Sequence, residues 1–376
     1  MKKNKFSILI LLLATAVVGC AQTTIEITNQ YPFDRSDEIV EIAASELGGI
    51  SGTDYILTDE NNEEIPYQLI YNGTETVQSI IFPTTVKTGT KVVYTLNPGT
   101  PKAVQAKTSA RYVPERKDDF TWENNLAAYR MYGPGLADEN PSNGVDLWLK
   151  RTEELVVDSF YRGELKYGKS YHEDHGQGLD CYKVGNTLGA GGIAPYVDGK
   201  LLIGKYYDSY KVLDNGPLRS AFTLTYNQID INGKSYKQEI TISTDAGTVM
   251  NKAVVKFEGE KQNMQLAAGI TLHDGKGTLQ RASGLIVYGE NALRNKDQQN
   301  VGRNFVGVVL PDKEDLYKIQ NLHALLIKNY VPGDEFTYYF GGGWSQWKFP
   351  TQKEWLAAVQ QFSKQVKYPL TVKVVK

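Results

Sequence analysis

Two of the four histidines in this 376-residue chain lie in one short polar segment, and this is the strongest chemical signal in the sequence. Between positions 171 and 182 the histidines are surrounded by carboxylates, phenols and glycines. Imidazole titrates near neutral pH, and a neighbouring carboxylate orients the ring and stabilises its charged form. The segment therefore predicts a catalytic site, with the candidates His172, His175, Tyr171, Tyr182 and Asp180.

The same two histidines also fit a metal site or a purely structural loop. As metal ligands they would need a third partner such as Asp174, Asp180 or His273, and their i, i+3 spacing in a glycine-rich loop matches no strong metal-binding pattern. A metal is the less favoured interpretation, and the identity of any cofactor stays open. In a structural loop the histidines would only form hydrogen bonds.

A second dense segment, residues 114–134, contains the groups that a sugar site requires. The flat face of a pyranose stacks on an aromatic ring, its hydroxyls bind amides and carboxylates, and a uronate carboxylate binds arginine. These residue types are supplied by Arg116, Trp122, Glu123, Asn124, Arg130 and Tyr132. The alternative is a hinge between domains in which arginine and aspartate side chains pair internally. Further along, Trp344 and Trp347 follow a glycine run and predict either a stacking platform or a packed corner.

Composition and missing motifs exclude several classes of protein. A net charge of −2 provides no basic surface for nucleic acid. The glycine run at 185–192 lacks the context of a phosphate loop, and the signatures of serine hydrolases and zincins are missing.

Only Cys181 follows Cys20, so no intramolecular disulfide is expected. Because Cys181 follows Asp180 and has no cationic neighbour in sequence, it is predicted to be a buried small side chain and not a nucleophile.

The N-terminus predicts export. Three lysines precede an apolar stretch at 6–18 that is too short to span a membrane, and Val17 to Cys20 resembles a lipobox. We therefore expect a signal peptide at 1–19, lipid on Cys20, and a periplasmic or outer-membrane lipoprotein held to the membrane only by that lipid. Ordinary cleavage after Ala21 is the alternative, and it also exports the chain.

Strand patterns dominate the remainder of the sequence. Residues 221–226 and 236–243 alternate around Asn232-Gly233, which predicts a hairpin with a tight turn. One helix is expected, starting at the capping box Thr351 to Glu354 and ending before Pro369. Alternation also places Asp146, Trp148 and Lys150 on one strand face, which we expect to be exposed to solvent or, as the alternative, to line a cleft. The predicted class is all-β: a small N-terminal β-sandwich at 20–105, then a large antiparallel β-supersandwich at 106–376 with one C-terminal helix.

Several of these segments resemble a known family. The blocks at 114–124, 132–134, 171–192 and 216–219 are similar to those of a family of exported bacterial lipoproteins without an assigned reaction. Its members are often encoded beside systems that break down uronate-containing polysaccharides. The strands after Gly216 also resemble the galactose-mutarotase type of β-supersandwich. The resemblance implies a carbohydrate context and transfers no catalytic position to this chain.

The sequence thus predicts an enzyme that acts on uronic-acid sugars by proton abstraction, as a lyase, epimerase or isomerase. Arg116 or Arg130 would neutralise the sugar carboxylate, a histidine of the polar segment would act as base, and Tyr171 or Tyr182 as acid. One alternative is a glycosidase with Glu123 and Asp180 as its carboxylate pair. The other is a non-catalytic carbohydrate-binding lipoprotein that stacks sugars on its tryptophans.

Overall fold

The computed structural model describes residues 22–52, 54–137, 144–292 and 301–375. The predicted signal peptide and the predicted lipid site at Cys20 lie outside these ranges. Among the described residues, no helix combines the length and the apolar character that crossing a bilayer requires.

The first part of the chain forms two antiparallel sheets that pack against each other. Their strands are β1 (Thr23–Thr28), β2 (Arg35–Ala43), β3 (Tyr55–Thr58), β4 (Gln68–Ile70), β5 (Ser79–Val86) and β6 (Lys91–Pro98). Strands β1, β6 and β3 lie in one sheet, and β2, β5 and β4 form the other. Alternate residues such as Ile25 and Ile27 are buried in the core between the sheets.

A five-stranded antiparallel sheet follows. It contains β7 (Thr108–Val113), β8 (Asp119–Asn124), β9 (Ala127–Met131), β10 (Asp146–Lys150) and β11 (Gly178–Asp180), in the spatial order β11-β10-β9-β8-β7. Between β10 and β11 the chain forms helix α1 (Val157–Tyr167). The helix ends at Gly168, whose φ of 61° is the left-handed conformation that glycine adopts without strain.

A second five-stranded antiparallel sheet and an eight-stranded one complete the supersandwich. Their strands are β12 (Ile193–Val197), β13 (Lys200–Leu201), β14 (Ser209–Asn215), β15 (Arg219–Ile231), β16 (Lys234–Asp245), β17 (Asn251–Glu258), β18 (Met264–Thr271), β19 (Thr278–Ala282), β20 (Leu285–Asn291), β21 (Arg303–Val309), β22 (Leu316–Gln320), β23 (His323–Tyr330) and β24 (Phe336–Trp344). One sheet has the order β13-β12-β18-β23-β22, and the other β14-β15-β16-β17-β24-β21-β20-β19. Buried side chains from both sheets and from the β7–β11 sheet form one continuous core.

The predicted tight turn at Asn232-Gly233 and the predicted helix start at Thr351 are both confirmed. Strands β15 and β16 pair up to Ile231 and Lys234, and Asn232 and Gly233 between them have φ values of 54° and 75°, as a two-residue primed turn requires. Helix α2 (Gln352–Lys367) starts with the predicted capping box, in which the Thr351 side chain accepts from the Glu354 N–H and the Glu354 carboxylate accepts from the Thr351 N–H.

The final strand returns to the first sheet. Strand β25 (Thr371–Val375) pairs with β1, so the sheet has the order β25-β1-β6-β3 and contains both ends of the described chain. The predicted all-β class with a C-terminal helix is confirmed. Helix α1 was not predicted, and the predicted domain boundary near residue 105 remains a prediction.

Candidate functional site

The two faces of the β7–β11 sheet differ sharply in chemistry. One face contributes Phe120, Trp122 and Leu147 to the apolar core. The opposite face carries charged residues and is covered by helix α1 and by the histidine loop, residues 168–177. Aromatic contacts fix this cover, because the rings of Tyr161 and Tyr171 both pack against Trp148 with centroids 5.1 and 5.0 Å away. The predicted alternation of Asp146, Trp148 and Lys150 on one face is present, but the residues are buried and not exposed.

Arg130 is the centre of the charged face. Its guanidinium lies 2.6 Å from the carboxylate of Asp146, 3.0 Å from that of Asp180 and 3.4 Å from that of Asp119. At most 4% of any of these four side chains is exposed. The ring of Tyr132 lies 4.7 Å from the guanidinium carbon, a cation–π distance. We call these five residues the Arg130 cluster.

The electrostatics of the Arg130 cluster are unusual because three carboxyls share one buried cation. Burial, and next the charge of Asp146, raises the pKa of Asp180 well above its ordinary value. Burial also raises the pKa of Asp119, against the opposing effect of Arg130. Burial by itself lowers the pKa of the Arg130 guanidinium. The negative charge of Asp146 outweighs this effect and keeps that pKa well above its ordinary value. Asp180 therefore holds its proton at a pH where an exposed aspartate has lost it.

The two predicted segments meet at Tyr171. Its phenol oxygen accepts hydrogen bonds from Arg116 Nε at 3.3 Å and from Arg130 Nη1 at 3.4 Å. Arg116 belongs to the first dense segment, and Tyr171 is 55 residues further along the chain. Arg116 is half-buried, so it lies between the buried Arg130 cluster and solvent.

His172 lies on the outer side of the same contact. Its ring centroid is 4.5 Å from that of Tyr171, and 43% of its side chain is exposed. Nδ1 is 2.9 Å from the backbone oxygen of Asp180 and 3.6 Å from its carboxylate. Because a carbonyl oxygen can only accept, Nδ1 is the donor in this contact.

Three predicted catalytic residues lie outside this arrangement. His175 is exposed, and its Nε2 contacts the backbone oxygen of Ser170 within the histidine loop. Tyr182 is buried beside His273, with ring centroids 5.0 Å apart. Glu123 accepts from Lys150 Nζ at 2.9 Å and from the backbone N–H groups of residues 156 and 157, so it anchors the start of α1. These contacts are structural, and the catalytic roles of the three residues remain predictions.

Two of the three predicted sugar platforms, Trp122 and Trp344, are core residues, and the third, Trp347, is half-buried. Trp122 is 1% exposed and donates from Nε1 to Asn251, while Trp344 is 3% exposed and donates to the backbone oxygen of Val301. Asn124 is buried as well and donates to two backbone oxygens of the turn after β16. A sugar ring needs an exposed aromatic face for stacking, and neither tryptophan provides one in this conformation.

The main residues that sequence analysis missed are Asp119 and Tyr161. Asp119 contacts Arg130 and accepts from the Tyr161 hydroxyl at 3.2 Å. No local signal separates Asp119 from Asp118, because only the strand register decides which of the two faces inward. Arg130 pairs internally with aspartates. Such pairing is what the alternative interpretation of residues 114–134, a hinge between domains, predicts for this segment.

No group of three or more histidine, cysteine or carboxylate side chains in the described ranges is arranged to hold a metal ion. Between the three aspartates of the cluster, the place that a cation would take is occupied by the Arg130 guanidinium.

Comparison with known proteins gives both a sequence family and a structural likeness. A family described as "Domain of unknown function (DUF4861)" matches residues 27–372. "Uncharacterized protein P7" of Formosa agariphila is 34% identical over 276 residues, which are 70% of this chain and 69% of that protein.

Two solved structures from Enterococcus faecalis are similar at low identity. A protein in the glycosyl hydrolase family 38 has a TM-score of 0.50 at 9% identity, over 94% of this chain and 47% of that one. An alpha-mannosidase has a TM-score of 0.44 at 8% identity, over 94% and 46%. This chain therefore spans less than half the length of either solved chain. At 9% identity, the first likeness concerns the fold alone.

Proposed function

The chain belongs to the DUF4861 family, and we propose that it acts on carbohydrates containing uronic acid, by proton abstraction next to the sugar carboxylate. The observation that carries the proposal is the contact between the two dense segments, in which Arg116 and His172 both lie against Tyr171 at the margin of the Arg130 cluster. The fold shared with part of a glycosyl hydrolase family 38 protein supports the carbohydrate class. Export of the chain as a lipoprotein is part of the same proposal.

The roles follow from the charge, burial and position of each group. The Arg130 guanidinium is engaged by three aspartates, so it holds the site together and does not bind substrate. Arg116 is the half-buried arginine that would bind the uronate carboxylate. Neutralising that carboxylate makes the neighbouring C5 proton acidic enough for the His172 imidazole to remove.

The lyase form of this chemistry balances with groups of this chain. His172 takes the C5 proton, a C4–C5 double bond forms, and the C4–O glycosidic bond breaks. The leaving oxygen then takes a proton from an acid. Tyr171, which lies between the two arginines, and Asp180, whose raised pKa favours its protonated form, are the candidates for that acid. Epimerase chemistry would share the first step and return the proton to the opposite face of the same carbon.

The two alternatives receive less support. The glycosidase would need Glu123, whose oxygens are already occupied by Lys150 and by the start of α1. The binding module would need exposed tryptophans, and two of its three predicted platforms are buried.

The proposal is tested with a uronate polysaccharide and the same polysaccharide after its carboxylates have been reduced to alcohols. We expect the purified protein to convert only the uronate form. Ultraviolet absorbance detects unsaturated products, and NMR of the sugar detects epimerised ones. Equal conversion of both forms would contradict the role of the carboxylate. Saturable binding of the uronate without any conversion would show a binding protein instead of an enzyme.

A further inference from the structure

A cavity outside the Arg130 cluster contains the other two histidines of the chain. It has a volume of about 560 Å³ and opens between residues 183–187, which follow β11, and the turns after β18 and β22. This volume is in the range of small-molecule sites. His273 and His323 line the cavity, and no residue of the Arg130 cluster does.

Both cavity histidines are held in one orientation and one protonation state. His273 contacts two acceptors, the Glu290 carboxylate at 2.5 Å and the Lys183 backbone oxygen at 2.6 Å, so both of its nitrogens donate. Burial works against this charge, but Glu290 raises the pKa of His273 above its ordinary value. Nε2 of His323 accepts from the Leu188 N–H and its Nδ1 donates to the Asn321 oxygen, and burial lowers its pKa. The cavity therefore has one charged and one neutral imidazole in its wall.

The backbone around the cavity adopts conformations that side chains disfavour. His273, Asn321 and Leu322 have φ values of 42°, 46° and 57°, in the left-handed region. Leu322 is the most unusual of them, because a bulky residue there is a genuine outlier, and the residue is 52% exposed. Such strain is concentrated at ligand sites and switches, where the surrounding structure holds it.

The composition of the wall indicates which ligand the cavity suits. Val184, Leu201 and Ile203 form an aliphatic surface, and the amides of Asn186 and Asn321 can bind hydroxyls. Asp274 pairs with Lys276 at 3.4 Å, and Glu290 pairs with His273. Lys183 is exposed and forms no ion pair within the residues that the structure describes. One available cation, two amides and an aliphatic wall match a polyhydroxylated ligand that carries a carboxylate.

We propose that this cavity is a second binding site for acidic saccharides, with Lys183 binding a uronate carboxylate and Asn186 and Asn321 binding ring hydroxyls. The existence of the site is inferred from the cavity, and the choice of a saccharide rests on the proposed function. Lys183 follows Asp180 by three residues, so at most about 10 Å of chain separates the cavity segment from the Arg130 cluster.

The histidines provide the test, because His273 and His323 line the cavity and His172 lies at the proposed catalytic site. The protein is labelled with ¹⁵N-histidine, and imidazole resonances are recorded at constant pH while a uronate oligosaccharide is added. We expect saturable shifts of the His273 and His323 resonances. Lys183→Met should weaken the dissociation constant obtained from these shifts about tenfold, as the loss of one charge-assisted hydrogen bond implies, and Lys183→Arg should preserve it. Lys211→Met, which changes an exposed lysine on β14, is the matched control.

The outcomes separate this inference from the proposed function. Unmoved His273 and His323 resonances at saturating oligosaccharide would overturn the second site, even if the resonance of His172 shifts and turnover occurs. Equal shifts with the carboxyl-reduced oligosaccharide would overturn the acidic ligand class. Saturable shifts of His273 and His323 that depend on Lys183, without turnover of any uronate, would support the second site and contradict the proposed function.

Discussion

Replacing Arg130 by methionine is expected to lower the free energy of unfolding by about 3–5 kcal/mol. The substitution keeps most of the side-chain volume but removes the cation between the buried carboxylates of Asp119, Asp146 and Asp180. Charges buried without a partner are among the most destabilising changes in proteins. Urea denaturation followed by circular dichroism measures the effect. Arg111→Met is the control, because its ion pairs with Glu115 and Asp158 are partly exposed and contribute at most about 1 kcal/mol.

This loss should depend on pH in a defined direction. The pKa values of Asp119 and Asp180 are raised in the folded protein, so the folded state binds more protons than the unfolded one above the unfolded pKa of about 4. Their contribution to stability is therefore largest in acid and declines as pH rises through the folded pKa values. Without Arg130 the aspartates favour protonation further, so the loss should be smaller at about pH 5 than at about pH 8. A pH-independent loss, or one below about 1 kcal/mol, would contradict the assignment of Arg130 as the cation that stabilises this face.

Replacing His172 by glutamine is expected to lower kcat on a uronate substrate by about 10²- to 10⁴-fold, the usual contribution of a general base. Glutamine can still donate to the backbone oxygen of Asp180, where His172 Nδ1 lies now, so the histidine loop should keep its fold. The substitution removes the imidazole that the proposed function assigns as the base. Initial rates at saturating substrate, with unfolding free energies measured in parallel, separate chemistry from stability.

His175→Gln is the matched control for that substitution. His175 is three residues away in the same loop, is exposed, and contacts the Ser170 backbone oxygen through Nε2. Its variant should keep a kcat close to that of the wild type. Equal losses in the two variants would indicate a general role of the loop, and an unchanged kcat in His172→Gln would exclude His172 as the base.

Features coded by short stretches of sequence could be predicted. The turn at Asn232-Gly233 needs two residues with positive φ, and the capping box at Thr351 needs a glutamate three residues later, so each depends only on neighbours. Helix α1 has no such signal. It starts after Val156 without a capping side chain, and the N–H groups at its start are satisfied by Glu123, more than 30 residues earlier.

Burial was the property that sequence analysis predicted least well. Asp146 and Lys150 alternate as expected, but their partners lie on other strands, Arg130 on the adjacent β9 and Glu123 on β8 beyond it. Pairing across the sheet allows such charges to be buried. The same limit applies to Trp122, whose buried N–H has its partner in Asn251 on β17. Residue type indicated chemistry in each case, but exposure depends on partners that are distant in the sequence.

In the proposed function Arg116 and His172 form one site for a uronate, and binding to an Arg116 variant distinguishes this claim from a purely structural role of Arg116. Isothermal titration compares wild type and Arg116→Met, each with a uronate oligosaccharide and with its carboxyl-reduced form, and Arg111→Met is the control. We predict that Arg116→Met weakens binding of the uronate about 10- to 100-fold, as expected for loss of a charged hydrogen-bond donor, and leaves binding of the reduced form unchanged. Equal weakening for both ligands, or none for the uronate, would contradict the claim.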